Sequence, residues 1–315
     1  MNLSSNNITV VTASRSREGV YIAAAKNVIV VALFVSINYI NGTLVHTFSK
    51  HQIFSMNPRY ILFIHMVLND MLQLTVSVLL FVLSYVFFSI NACICGSLVT
   101  LAALTTQNTP LNLVCMATEC FVAVFLPLRH AQLCTVRRTY TLIGLIWLVS
   151  SAAIIPDVLI ALATEPLEYF LSRVFCVRDN IFPKLIKKVH VYNIVFLVLV
   201  WLVLFYVYVK ILVAAKGANA NAKKARDTVL LHAFQLLLCM LTYIAPVLKR
   251  SLFLWFPRHY ANALFVCYIV IQMFPRFLSP IVYGLRDKTF RQYLKRNMLF
   301  KKIQTKSVKP LHSLK

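Results

Sequence analysis

Phe265-Val266-Cys267-Tyr268-Ile269-Val270-Ile271-Gln272-Met273-Phe274-Pro275-Arg276-Phe277-Leu278-Ser279-Pro280-Ile281-Val282-Tyr283-Gly284-Leu285 decides the fold. The stretch is apolar almost throughout, and it exceeds the roughly 20 residues a helix needs to cross a bilayer. One full charge, Arg276, interrupts it. A charge at that depth costs about 2.5–3.5 kcal/mol on insertion scales, so such a residue normally has a partner and a job. Asp70 is the only acid in the middle of the second apolar run, residues 60–89. A buried ion pair between Asp70 and Arg276 would tie together two helices about 200 residues apart. That predicts a bundle rather than a string of separate anchors.

Working outward, apolar runs at residues 22–48, 92–126, 139–162, 189–213 and 228–247 join those at 60–89 and 262–285. The expected fold class is an all-α membrane protein, a seven-helix bundle followed by a short amphipathic interfacial helix. Of the 315 residues, 60% are apolar and 13% charged, with a mean hydropathy of +0.75. Soluble domains carry about 25% charged residues, and here the deficit spans the whole chain. The expected organisation is a tail at 1–21, one membrane domain at 22–285, and an interfacial helix with a basic tail at 286–315. The first 18 residues are mostly polar and hold no apolar core, so the first helix is expected to do the targeting.

The third run is interrupted by Thr105-Thr106-Gln107-Asn108-Thr109-Pro110. Polar residues at that depth are tolerated when they face the bundle or a cavity. The alternative is a helix whose hydroxyls bond back to its own carbonyls.

Orientation follows from the basic residues. With the first tail outside, 20 of the 32 Lys and Arg fall on inner segments and 11 outside, Lys26 being counted as outside at the mouth of the first helix. That bias predicts an extracellular N-terminus and a cytoplasmic C-terminus. Sequons beginning at Asn2 and Asn7 agree, and glycosylation is expected there. Asn41-Gly42-Thr43 also matches but falls within the first helix. The net charge of +23 sits largely between spans, so lipid rather than nucleic acid is the expected partner. In the tail, Phe290, Tyr293, Leu294 and Met298 share one helical face opposite cations, a pattern for a helix lying in the inner interface.

Catalytic and metal chemistry find no support. Asp70 and Glu119 lie on different helices, no nucleophile has a His and an acid beside it, and no CxxC pair faces a second ligand pair. No catalytic residues, metal or cofactor are expected. A transporter or channel using the Asp70/Arg276 pair is the alternative, but the halves show no internal repeat.

Motifs in order now carry a resemblance. Asn41, Leu68-Asn69-Asp70, Cys95, Trp147, Ser279-Pro280-Ile281-Val282-Tyr283 and Phe290 stand in the chain as they do in rhodopsin-like G-protein-coupled receptors. Asn57-Pro58-Arg59-Tyr60, Met116-Ala117-Thr118-Glu119-Cys120-Phe121, Pro127-Leu128-Arg129-His130 and Pro280 to Arg286 resemble the odorant receptors, especially the fish type. The resemblance covers nearly the whole chain. It implies a small-molecule odorant bound in the outer half of the bundle and a heterotrimeric G protein, of the olfactory stimulatory type, on the cytoplasmic side.

It also implies particular sites. Cys95 and Cys176 become the bridge between the third helix and the second outer loop, with Cys93 a rival partner. Thr105, Thr106, Tyr243, Tyr268 and Gln272 are the expected ligand contacts, with His190 and Asn193 behind them. Glu119, Cys120, Arg129, Pro280 and Tyr283 are the expected coupling and switch positions. Two departures stand out. The family's Asp-Arg-Tyr triplet is Glu119-Cys120-Phe121 here, and Cys120 cannot reach into a G protein as an arginine does. Arg129, Arg137 or Arg138 would then carry coupling; a weakly coupling receptor is the competing expectation. Secondly, Arg276 stands beside the family's sodium site, so it is expected to replace the ion and pair with Asp70; the alternative is that it bonds carbonyls and Asn69 or Asn41. The remaining cysteines are expected to be small buried apolar residues.

Overall fold

A computed structural model describes residues 20–87, 89–174, 176, 186–216, 220–278 and 290–293. Its long helices are α1 (Val20–Lys50), α3 (Pro58–Val86), α4 (Ala92–Phe125), α6 (Val136–Thr164), α8 (Ile186–Lys216), α9 (Ala220–Trp255) and α10 (Tyr260–Leu278). Short helices α2 (Gln52–Ser55), α5 (Pro127–Leu133) and α7 (Leu167–Leu171) lie in the connections. All of these except α9 among the long helices meet the length and hydropathy needed to cross a bilayer. α9 packs along α8 and α4 within the same bundle.

Helix starts follow local chemistry. Asn57 caps α3 by accepting from the Arg59 amide at 3.1 Å, and Pro58 fills the first turn, where its missing N–H costs nothing. Asn91 caps α4 through the Cys93 amide at 2.9 Å, and Thr135 caps α6 through that of Arg138. So Asn57-Pro58 and Pro127 are helix-start signals in their own right.

Large apolar side chains line the outside of α8, among them Val198, Leu199, Leu202 and Phe205. A soluble monomer seldom leaves such a surface bare; lipid covers it in a multi-pass membrane protein. Inside, Leu62, Met66, Leu113, Met116, Leu204, Val207 and Ile211 form the main core between α3, α4 and α8.

The two ends of the bundle differ. At one, β1 (Ile90–Asn91) pairs antiparallel with β2 (Arg173–Val174), and Cys95 is disulfide-bonded to Cys176. Cys93 stays outside the bridge as an exposed thiol. The other end carries Lys50, Arg59, Arg129, Arg137 and Arg138, and is called the basic end below.

Several expectations need correction. Lys26, near the start of α1, is 5% exposed, with its ammonium 5.6 Å from the ring centre of Phe265. Phe290 packs into the bundle. It is 1% exposed, with Phe54 at 5.1 Å and Phe63 at 5.8 Å edge-on and Tyr60 stacked at 6.1 Å. Tyr293 likewise packs on Phe54. Of the expected face, Phe290 and Tyr293 are described, and both meet the bundle. Of the thiols expected to be buried, Cys120 is, whereas Cys115, Cys134 and Cys267 are only partly so. Asn41, fully buried within α1, offers no glycosylation site. Asn2, Asn7, Pro280, Tyr283, Leu294 and Met298, with the side chains of His190, Asn193 and Cys239, lie outside the described residues.

Candidate functional site

At mid-length of the bundle, Asp70 and Gln73 from α3, Thr106 and Thr109 from α4, Thr242 and Tyr243 from α9, and Pro275 and Arg276 from α10 line one small cavity. Its position follows from breaks in otherwise regular helices. Pro110 sits inside α4 and cannot donate to the Thr106 carbonyl one turn back. The Tyr243 hydroxyl points at that carbonyl from α9, at 3.5 Å. In α10, Ile269–Met273 is a π-helical turn, and the Phe274 amide reaches back five residues to Ile269. Such widenings recur at functional sites. Just beyond, Pro275 lacks an amide hydrogen, and the Arg276 guanidinium donates to the carbonyl of Gln272.

Asp70 is 2% exposed and Arg276 is 6% exposed. A seam of neutral polar groups adjoins them. The Asn69 amide donates to the Thr105 carbonyl at 3.0 Å and the Thr109 hydroxyl at 3.1 Å, and its oxygen accepts from Asn108 at 3.3 Å. Gln73 donates to the Thr106 hydroxyl at 2.6 Å. Both readings of the polar stretch therefore hold at once. Thr105 and Thr106 bond back to carbonyls one turn earlier, while Thr106 and Thr109 also face the cavity.

Of the expected ligand contacts, Thr106 and Tyr243 line this cavity. Thr105 is fully buried against α3 instead. Tyr268 stacks on Phe81 at 4.6 Å and accepts a hydrogen bond from Ser77 at 3.2 Å, on the seam between α3 and α10. Gln272 contributes its carbonyl to Arg276. The cavity lies at mid-length rather than towards the disulfide end. Thr109 lines the cavity as part of the polar stretch expected to face one, whereas Gln73 and Thr242 were not foreseen; the signal for Gln73 is its place three residues after Asp70, on the same helical face.

A second constellation occupies the basic end. Glu119, 7% exposed, accepts from Arg59 through Nε at 2.9 Å and Nη2 at 3.3 Å. His130 Nε2, on α5, lies 3.0 Å from Oε1, the same oxygen that Arg59 Nη2 reaches. Cys120 is 3% exposed and belongs to the apolar core, so it presents nothing to a partner. Arg129, Arg137 and Arg138 are exposed. Burial pushes the Cys134 thiol up, with Glu119 adding to the shift while Arg59 and Arg138 oppose it. Sequence reading placed Arg59, Glu119 and His130 in separate motifs and did not join them.

Comparison with known proteins fits this architecture. Residues 40–283 match the family described as 7 transmembrane receptor (rhodopsin family). Odorant receptor 131-2 of Danio rerio is 34% identical over 268 residues, covering 82% of this chain and 81% of that protein. Olfactory receptor 51T1 of Homo sapiens is 30% identical over 191 residues, 57% of each chain. The chain belongs to the rhodopsin family of seven-transmembrane receptors, among its odorant-receptor members.

Proposed function

We propose that the chain is a chemosensory receptor of the plasma membrane that binds a small molecule within the bundle and activates a heterotrimeric G protein at its basic end. The observation that carries this reading is the internal cavity shared by α3, α4, α9 and α10, because it joins helices whose rearrangement would reach the basic end. Thr106 and Tyr243 are the contacts favoured for the ligand, with Gln73, Thr109 and Thr242 added by the geometry. Asp70 and Arg276, buried on one cavity wall each, pair in place of a bound cation. The basic end faces the cytoplasm, as the topology bias of Lys and Arg predicts, and the tail with Asn2 and Asn7 faces outward. A G protein of the olfactory stimulatory type is the partner favoured by kinship with odorant receptors.

The test expresses the chain with that G protein and reads cAMP against odorant mixtures, beside Cys120→Arg. A response from the native chain supports the reading and shows that a buried Cys120 is tolerated. A response from the Arg form alone places the defect in coupling. Silence from both, with surface expression measured, counts against it.

A further inference from the structure

At the disulfide end, the chain leaving α6 forms the short helix α7 before it reaches β2. Two leucines of α7, Leu167 and Leu171, are 76% and 69% exposed. Four residues apart, they share one face of the helix. Glu168 lies about 100° round from Leu167, and Tyr169 nearly opposite. Glu168 is exposed and Tyr169 half-buried, so the leucine face is turned away from the bundle.

A helix of 5 residues is not stable by itself, so its attachments decide where the leucines point. At its start, Glu165 ends α6 with its amide on the Ala161 carbonyl at 3.0 Å. At its end, the Ser172 amide donates back to the Glu168 and Tyr169 carbonyls, and the Ser172 carbonyl accepts from the Ala92 amide at 3.0 Å. The β1–β2 pairing and the Cys95–Cys176 bridge follow directly. α7 is thus pinned between the last turn of α6 and the first turn of α4.

Its level in the membrane follows from α6. Arg137 and Arg138 open that helix at the basic end, and cations there mark one boundary of the bilayer. About 20 helical residues cross the hydrocarbon, which brings the other boundary close to residues 159–162. α7 begins just beyond it. Leu148, Ile155, Leu159 and Leu162 of α6 are exposed on the way there, as side chains covered by lipid are. Arg173, just after α7, is exposed too, a cation at the level of lipid phosphates.

We propose that α7 is an interfacial helix that docks on the phospholipid leaflet at the disulfide end. Leu167 and Leu171 enter the boundary between headgroups and acyl chains, Glu168 stays in water, and Arg173 meets phosphate. Phospholipid is the occupant because α7 lies at the bilayer surface and follows directly from a lipid-facing helix. The segment carrying Cys176 then has two anchors, the disulfide and the membrane surface.

The experiment places the photoreactive p-benzoylphenylalanine at Leu167, Leu171, Glu168 or Leu159, one at a time, in the full chain. All four side chains are exposed, so the replacements leave the bundle folded. Each chain is irradiated in phosphatidylcholine discs holding one copy, and lipid adducts are mapped by peptide mass. Leu159 sets the yield for full lipid contact. Yields at Leu167 and Leu171 are expected within about twofold of it, and about fivefold above that at Glu168. Yields at the two leucines no higher than at Glu168 overturn the proposal. Links from them to α4 or α6 of the same chain, in place of lipid, also overturn it. The measurement is repeated in discs holding two copies. Unchanged lipid yields support docking on lipid, whereas a shift to links between chains assigns the face to a second copy and overturns it.

Discussion

Helices α3 and α4 meet twice, and the two seams use different chemistry. At mid-length they are joined by Asn69 and Gln73 to Thr105, Thr106, Asn108 and Thr109, all neutral. At the basic end the same two helices are joined by Arg59 and Glu119, both charged. Depth explains the difference. Far from water, a neutral amide loses little on burial once it is hydrogen-bonded, whereas a charge needs a near-complete shell. At the helix ends, solvent reaches Arg59, and a charged pair becomes inexpensive and adjustable. The mid-length seam thus fixes how the helices pack, and the end seam is suited to adjusting what lies beyond it.

Asp70 is the exception that breaks this division, a charge at mid-length. With Asp70 and Arg276 paired as proposed, Asp70→Asn leaves a buried cation without its counter-charge, and about 3–5 kcal/mol of stability should be lost. Unfolding of the purified protein in lipid discs measures it; a loss below about 1 kcal/mol would mean that Arg276 is satisfied by other groups. Asn69→Leu tests the neutral seam. It removes the partner of Asn108 and Thr109, and a loss of about 1–2 kcal/mol is expected by the same assay. For the end seam the expectation reverses. Arg59→Gln should cost less than about 1 kcal/mol, because the arginine is part-exposed, yet alter G-protein exchange. A large stability loss with normal exchange would make the two seams alike. Smallest of all, Arg129→Ala should leave stability within about 0.5 kcal/mol, since the residue is exposed, and weaken only the coupling measured by nucleotide exchange.

Legibility in the sequence followed the range of the forces involved. The Asn57, Asn91 and Thr135 caps depend on neighbours two or three residues away, and Pro58 and Pro127 mark helix starts for the same local reason. The polar stretch of α4 was legible as a feature needing shelter, though not which partners shelter it. Phe290 was legible as apolar, but a hydrophobic face reads the same whether lipid or Phe54 and Tyr60 will cover it. Thr105 was legible as polar, but not that its hydroxyl bonds back to Leu101 and Ala102 while its carbonyl accepts from Asn69.

The sequence by itself determined that this chain fills a membrane with helices, where most of them begin, and which family it belongs to. These follow from hydropathy, capping and ordered motifs, all read along the chain. Only the tertiary structure decided that Arg59 meets Glu119 across 60 residues, that His130 completes the contact, and that Asp70, Thr106, Tyr243 and Arg276 border one cavity. Those meetings depend on the rotation and axial register of each helix against its neighbours. They are set by packing summed over the whole bundle, and no local pattern encodes that sum.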